Sequence, residues 1–239
     1  MTNEKLLTEG LTLLGIDYDT AKIQLFERFT GLMLEYNEKV NLTSVMQETD
    51  IIIKHYLDSA SLLTLKDVFH KNARVVDIGC GAGLPSFPLK FLRNDLDITL
   101  IDSLRKRVDF QKYIKQQFSL DQIECFHGRA EELSKEQAFR ETFDVALIRA
   151  VAKMNIICEY CLPYVKPGGY FIAMKGPDVE EELKDSEAAI TKLGGKLESV
   201  HNIQLPFSDI THSLIVIKKI SATLSKYPRI TAKIKKSPL

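Results

Sequence analysis

The 239-residue sequence predicts an α/β fold in which a doubly wound, mostly parallel sheet ends in an antiparallel hairpin and is preceded by a helical extension. The apolar period is the first reason. Before about residue 70 apolar residues recur at three- and four-residue steps, whereas from Arg74 short β-rich runs alternate with helical ones, as parallel sheets require. A second reason is the abrupt end of the first run, Arg74-Val75-Val76-Asp77-Ile78, in the alternating glycines of Gly79-Cys80-Gly81-Ala82-Gly83. The third is a pair of late strand-like runs joined by Pro206-Phe207-Ser208-Asp209, a link short enough for a hairpin.

In the extension, residues 1–70, Ile23, Phe26, Phe29, Leu32, Met33 and Tyr36 form one helical stripe and Ile52, Tyr56, Leu57, Ala60 and Leu63 another. Lys54 and Asp58 stand at a helical i, i+4 step beside His55 and Ser59, reading either as a surface ion pair or as one wall of an active site. His70-Lys71-Asn72 leads into the sheet domain, residues 71–220. Its expected strands are 75–78, 98–101, 123–126, 143–148 and 170–174, then the hairpin runs 197–205 and 213–217. Between them the expected helices are 84–93, 105–118, 131–139, 154–162 and 178–193, the last closed by Gly194-Gly195. Residues 221–239 form a basic tail, since no acidic residue follows Asp209 while Lys226, Arg229, Lys233, Lys235 and Lys236 do. It reads either as a solvated end or as a contact for a polyanion.

Formal net charge is zero, which argues against a protein that coats nucleic acid by bulk attraction. No apolar run reaches membrane-spanning length, and the first residues lack the basic-then-apolar pattern of a signal peptide, so a cytoplasmic location with no membrane partner is expected. Cys80, Cys125, Cys158 and Cys161 lie among apolar or small residues and are expected to be buried thiols, with no metal centre. With no heptad pattern or long exposed apolar stripe, a monomer is expected.

The glycine turn reads as a nucleotide-type cofactor site, because glycines admit positive φ and close approach and a following helix points its amides back at the ligand. A loop merely turning a corner is the alternative. Asp77 narrows the cofactor. A carboxylate would repel a pyrophosphate at a helix N-terminus but welcomes the ammonium and sulfonium of S-adenosylmethionine, and the third glycine comes one residue too early for a dinucleotide fingerprint. In a doubly wound sheet the ligand lies at the carboxyl ends of the strands. There Asp102 can accept both ribose hydroxyls, or instead cap the helix opening near Leu104. His127-Gly128-Arg129-Ala130-Glu131 can present amides and an acceptor to an adenine edge, with Ala130 leaving room for the ring. Arg149 and Lys175 are cations at the ends of the fourth and fifth strands, suited to positioning cofactor or substrate. The fourth strand ends in Arg149-Ala150-Val151, without the Asn/Asp-Pro-Pro-aromatic set of exocyclic-amine methylation or the cysteine of cytosine-C5 methylation. An acceptor with a free lone pair, such as guanine N7, needs no general base.

These residues together resemble the RsmG family, also called GidB, of bacterial 16S rRNA methyltransferases. The likeness runs through Asn41-Leu42-Thr43, Lys54-His55-Tyr56-Leu57-Asp58-Ser59, Asp77 to Pro85 with Pro88-Leu89, Asp102-Ser103 with Lys106-Arg107, Arg129-Ala130-Glu131, Arg149-Ala150 and Lys175-Gly176. The resemblance implies a Rossmann-like class I S-adenosylmethionine-dependent methyltransferase fold and methyl transfer to N7 of a guanosine in the 530 loop of 16S rRNA. The RNA would be met within the 30S subunit or an assembly intermediate. It implies cofactor contacts at Gly79, Leu84, Ala130, Glu131 and Arg149, to which Asp77 and Gly81 are added from the turn itself and Asp102 from the end of the second strand. The residues expected to meet RNA are Lys54, His55, Lys106, Arg107, Lys175, His212 and Arg229. Three positions depart from the family. Leu84 stands where many relatives have Phe, His212 where they often have Arg, and Ile230 to Ile234 replaces a Gly- and Pro-containing stretch. The competing readings are a non-catalytic cofactor-binding ribosome-assembly factor and a methyltransferase acting on another RNA.

Overall fold

The computed structural model describes residues 1–149 and 152–239, so Ala150 and Val151 of the expected strand-end motif lie outside the described residues. Two amphipathic helices come first, α1 (Asn3–Leu13) and α2 (Thr20–Asn37), each opened by a side-chain cap from Thr2 or Asp19. A third helical run follows as α3 (Glu48–Ile51), a π-helical stretch Ile52–Leu57, α4 (Asp58–Ala60) and a tight turn Ser61–Thr64. The widened turn breaks the expected pairing of Lys54 with Asp58. Across it Lys54 pairs outward with Asp50, its i, i+4 neighbour on the N-terminal side, at 3.0 Å, while Asp58 turns into the protein.

The sheet domain then alternates strands and helices. In order these are β1 (Arg74–Ile78), α5 (Ser86–Leu92), β2 (Asp97–Asp102), α6 (Arg105–Gln117), β3 (Ile123–His127), α7 (Ala130–Leu133), β4 (Phe143–Arg149) and α8 (Met154–Cys161). They are followed by β5 (Val165–Lys175), α9 (Glu180–Lys192), β6 (Gly195–Gln204), β7 (Thr211–Lys219) and the short α10 (Thr231–Lys236). Two expected boundaries move. The α7 helix ends after one turn at Leu133 instead of continuing to Phe139, whose ring packs edge-on against Phe126. The β5 strand begins at Val165, five residues early, because Val165 pairs with Phe143 before a register shift carries the chain through Gly168-Gly169.

The seven strands lie in the order β3-β2-β1-β4-β5-β7-β6. Neighbours are parallel up to β5, β7 pairs antiparallel with both β5 and β6, and β6 is left at the edge as the outer arm of the expected hairpin. Each face of the sheet buries its own core. On one face, Phe26 and Phe29 of α2 and Tyr56 pack with Phe87, Phe91 and Phe110 of α5 and α6 over Val75, Ile98 and Leu100. The helices before β1 are thus a layer on the sheet, in edge contacts such as Phe26–Phe91 at 5.4 Å between ring centroids. On the other face α8 and α9 cover Ile78, Ile148 and Ala173. The C-terminal segment joins this second core through Tyr227 and docks Ile234 fully buried, so the basic end is held against the body of the protein. Among the described residues no helix is long and apolar enough to cross a membrane.

Candidate active site

The glycine turn sits where β1 ends, beside the tips of β2 and β4. Gly79 N–H donates to Ile101 O at 2.8 Å, which extends the β1–β2 ladder one step and then releases the chain into the turn. Gly79 (φ +69°) and Gly81 (φ +56°) take the left-handed region, and a Cβ on either would meet no atom within 4 Å. Their backbone therefore borders open space, which a ligand can occupy. From beneath, Gly81 N–H donates to Asp102 Oδ2 (2.9 Å) and Gln111 Nε2 donates to Gly81 O (2.8 Å) and to Cys80 Sγ (3.2 Å).

Asp102 accepts from two backbone amides at once, since Leu104 N–H reaches its Oδ1 at 2.9 Å, and Arg107 Nη1 lies 3.5 Å from Oδ2. The carboxylate thus joins the turn to the residue before α6, whose first turn carries no side-chain cap, and is itself buried. Asp77 is fully buried. Ser86 Oγ donates to its Oδ2 at 2.7 Å, and its Oδ1 has no partner. Burial pushes its pKa up to about 7, against the downward pull of the Ser86 hydrogen bond and of the Arg149 charge. At the end of β3, Tyr164 Oη donates to Ala130 O at 2.7 Å, and the buried Glu131 carboxylate is in contact with Thr231 Oγ1 from the C-terminal segment.

A cleft of about 160 Å³ opens over the turn, bordered by Gly79 to Ala82, Leu84, Arg107 and Arg149 on the sheet side and by Leu42, Thr43 and His55 from the helical layer. A larger groove, about 580 Å³, runs between α1 and α2 and contains none of the strand-end residues, so the smaller cleft is the one placed for chemistry. Inside the cleft His55 is neutral. Its Nδ1 lies 3.0 Å from Lys54 O and its Nε2 3.0 Å from Thr43 Oγ1, and burial together with the Arg149 charge lowers its pKa to about 4. The imidazole is thus uncharged and engaged at both nitrogens within the protein.

The other expected RNA contacts divide by what their charge already meets. Lys106 is exposed at the start of α6, Lys54 is half exposed in its pair with Asp50, and Arg107 borders the cleft. Lys175, by contrast, donates to Ala152 O and Glu182 Oε1 at 2.8 and 2.7 Å. His212 Nδ1 lies 2.5 Å from Asp58 Oδ1, and Arg229 grips the fully buried Glu159 through Nε and Nη2. These three groups are engaged within the protein, Lys175 by an acid seven residues on and His212 and Arg229 by acids far away in sequence. Gln111 is the site residue that sequence reading missed, although a polar residue between Val108 and Ile114 on the buried stripe of α6 was a readable sign.

Residues 22–211 match the family described as rRNA small subunit methyltransferase G, or GidB. Over all 239 residues, covering 100% of both chains, the sequence is 45% identical to the Ribosomal RNA small subunit methyltransferase G of Alkaliphilus metalliredigens. The chain belongs to this family. Among solved structures, an SAM-dependent methyltransferase from Aquifex aeolicus matches with TM-score 0.52 at 15% identity, over 70% of this chain and 92% of that one. TYW2 of M. jannaschii, solved in complex with AdoMet, matches with TM-score 0.51 at 14% identity, over 63% of this chain and 71% of that one. At such identities the likeness concerns the fold, which is the class I S-adenosylmethionine-dependent methyltransferase sheet. In this chain the helical layer places Leu42, Thr43 and His55 across the cleft from the glycine turn.

Proposed function

We propose that the chain transfers a methyl group from S-adenosylmethionine to N7 of a guanosine in the 530 loop of 16S rRNA. One observation supports the cofactor assignment above the rest. The turn keeps open space at Gly79 and Gly81 directly beside the buried Asp77, whose Oδ1 lacks a partner. An acid behind the turn favours a cationic, phosphate-free ligand over a pyrophosphate at this place. When bound, the cofactor supplies a methyl group made electrophilic by its sulfonium.

The chain's own residues divide the remaining work. The turn, with the buried Asp77 behind it, would face the cationic amino acid end, Asp102 the ribose, and Ala130 with Glu131 the adenine edge, beside Gly79, Gly81 and Leu84. Arg149 at the tip of β4 would orient the reacting partners, and Lys175, tied to Glu182, would brace the rim from behind. The choice of N7 is supported by the protonation chemistry of the cleft. His55 has both ring nitrogens engaged, Asp77 is sealed in, and Asp58 is covered by Arg149 and His212, so none of these three stands free to take a proton from an acceptor. Guanine N7 carries an in-plane lone pair and no proton. The reaction then needs alignment and exclusion of water and no deprotonation.

The deciding experiment incubates the protein with methyl-labelled cofactor and naked 16S rRNA, 30S subunits or 70S ribosomes from a strain lacking the modification, and maps the label. Label at N7 of a single guanosine in the 530 loop is expected, on whichever assembly state is recognised. Label on none of the three substrates would defeat the proposal, and label at another base would overturn its target.

A further inference from the structure

Asp58 comes from the helical layer, yet its carboxylate lies at the rim of the sheet. Arg149 Nη1, from the tip of β4, donates to its Oδ2 at 3.3 Å, and His212 Nδ1, from β7, lies 2.5 Å from its Oδ1. Behind them Ser61 Oγ stands 3.2 Å from His212 Nε2, closing the group from the same helical run that carries Asp58. The carboxylate is 12% exposed and the guanidinium 26%, so the pair is largely withdrawn from solvent while Arg149 still borders the cleft. Among the described residues Asp58 is the one hydrogen-bond partner of Arg149. A guanidinium has five N–H donors, so about four remain for the cleft. Stability alone is a poor reason for this arrangement, because a buried ion pair at best breaks even against apolar side chains of the same shape.

We propose that Asp58 is the positioning residue for Arg149. It grips one end of the guanidinium, and the remaining donors are aimed at the cofactor and the incoming base. His212 lies against the other oxygen of Asp58, and Ser61 Oγ donates to Asp58 O at 2.6 Å and touches His212 Nε2, so a polar seam from the helical layer and β7 sets the direction of a cation on β4. His55 and Asp77 are the other titratable groups close to Arg149, and neither has a hydrogen bond to it. Asp58 acts through Arg149 and touches neither substrate nor cofactor. The inference rests on the methyl-transfer reading for its rate consequences, but the seam itself is independent of which base is methylated.

The test uses the full chain with Asp58→Asn, Asp58→Glu, Arg149→Ala and the Asp58→Asn/Arg149→Ala pair. Methyl transfer to 30S subunits gives kcat and KM, calorimetry gives cofactor affinity, and thermal melting reports the fold. Loss of a charge-assisted anchor predicts that Asp58→Asn lowers kcat/KM about tenfold while the melting temperature falls by only a few degrees. Asp58→Glu should recover part of that loss, and Asp58→Asn should cost nothing further once Arg149 is Ala. Additive losses in the double variant, or unchanged kinetics in Asp58→Asn, would overturn the inference. A melting temperature that falls in proportion to activity would make Asp58 a structural residue only, and would overturn it too. Should Asp58→Asn fail to fold, the wild-type protein labelled with 15N-arginine decides, with Arg149 assigned through Arg149→Lys. An Arg149 Nε–H as ordered as the backbone supports the anchor, and one relaxing like a free side chain refutes it. Because this signal needs no turnover, a wild type that labels no RNA would count against the proposed function and leave the anchor separately decided.

Discussion

Replacing Arg229 by Ala distinguishes a structural cation from an RNA-binding one. Arg229 meets Glu159 through Nε at 2.9 Å and Nη2 at 2.7 Å, its backbone N–H reaches the same carboxylate at 2.7 Å, and Glu159 is fully buried. Truncation strands that carboxylate with a single amide donor. Breaking a buried pair by removing one partner costs about 3–5 kcal/mol, and the surviving amide places this case near 3 kcal/mol. At about 2.1 cal/mol/K per residue, a chain of 239 residues unfolds with roughly 0.5 kcal/mol/K, so the melting temperature should fall by about 6 °C. Differential scanning calorimetry measures this, and adding Glu159→Gln to the variant should restore part of the loss by removing the stranded charge. At 25 °C, where the variant stays folded, its affinity for 16S rRNA should match the wild type. A melting temperature within 2 °C of wild type together with weakened RNA binding would refute the reasoning and return Arg229 to the RNA surface.

Gly81→Ala forces a left-handed φ on a residue with a Cβ, at about 1–2 kcal/mol, but the Cβ meets no protein atom and points into open space. Calorimetry should therefore show cofactor affinity falling more than the modest loss in melting temperature accounts for. Gln111→Leu removes the bond to Gly81 O together with the unpartnered Gln111 Oε1, so these partly cancel in stability while the turn loses its support. A severalfold weaker cofactor affinity at a nearly unchanged melting temperature is expected. For Asp77, burial raises the folded pKa to about 7, so its stabilising contribution is complete below the ordinary carboxylate range and is lost as pH rises through about 7. Asp77→Asn escapes that loss, and the melting temperature of the variant minus that of the wild type should increase from pH 5 to pH 8. Removing residues 1–70 uncovers Phe87, Phe91 and Phe110 on one face of the sheet domain, and the truncated chain should be insoluble or lack a cooperative melting transition.

What was legible in the sequence follows from which interactions are local. The buried strands announced themselves as apolar runs between breakers, and Gly79, Gly81 and Gly83 marked the turn because only glycine takes positive φ there without cost. Asp77 and Asp102 were readable because strand ends of a doubly wound sheet converge on one place. The partners of the charges were not. Asp58 and Arg149 are 91 residues apart, and Arg229 and Glu159 are 70 apart, so no pattern within a helix or strand relates them. A free side chain and a paired one look alike in sequence, so the internal partners of Lys175, His212 and Arg229 were not legible there. The π-helical turn at Ile52–Leu57 was equally hidden, since one widened turn leaves the spacing of apolar residues almost unchanged while it swings Asp58 from the surface to the seam.

That one turn explains how a helical layer outside the sheet takes part in the site. Had the run from Glu48 continued with ordinary 3.6-residue turns, Lys54 and Asp58 would share a stripe and neutralise each other at the surface. With the turn widened, Lys54 faces outward to Asp50, His55 borders the cleft and Asp58 meets Arg149 and His212. Neutral His55 and paired Asp58 then give Arg149 opposite surroundings on two sides, an uncharged wall toward the ligand and an acid away from it. A cation placed so keeps its fixed direction and leaves its remaining donors for the ligand side, which is what alignment without proton transfer demands. The helical layer thus contributes to the site by directing a side chain of the sheet, and residues 54–59 gain a physical role that their spacing alone did not convey.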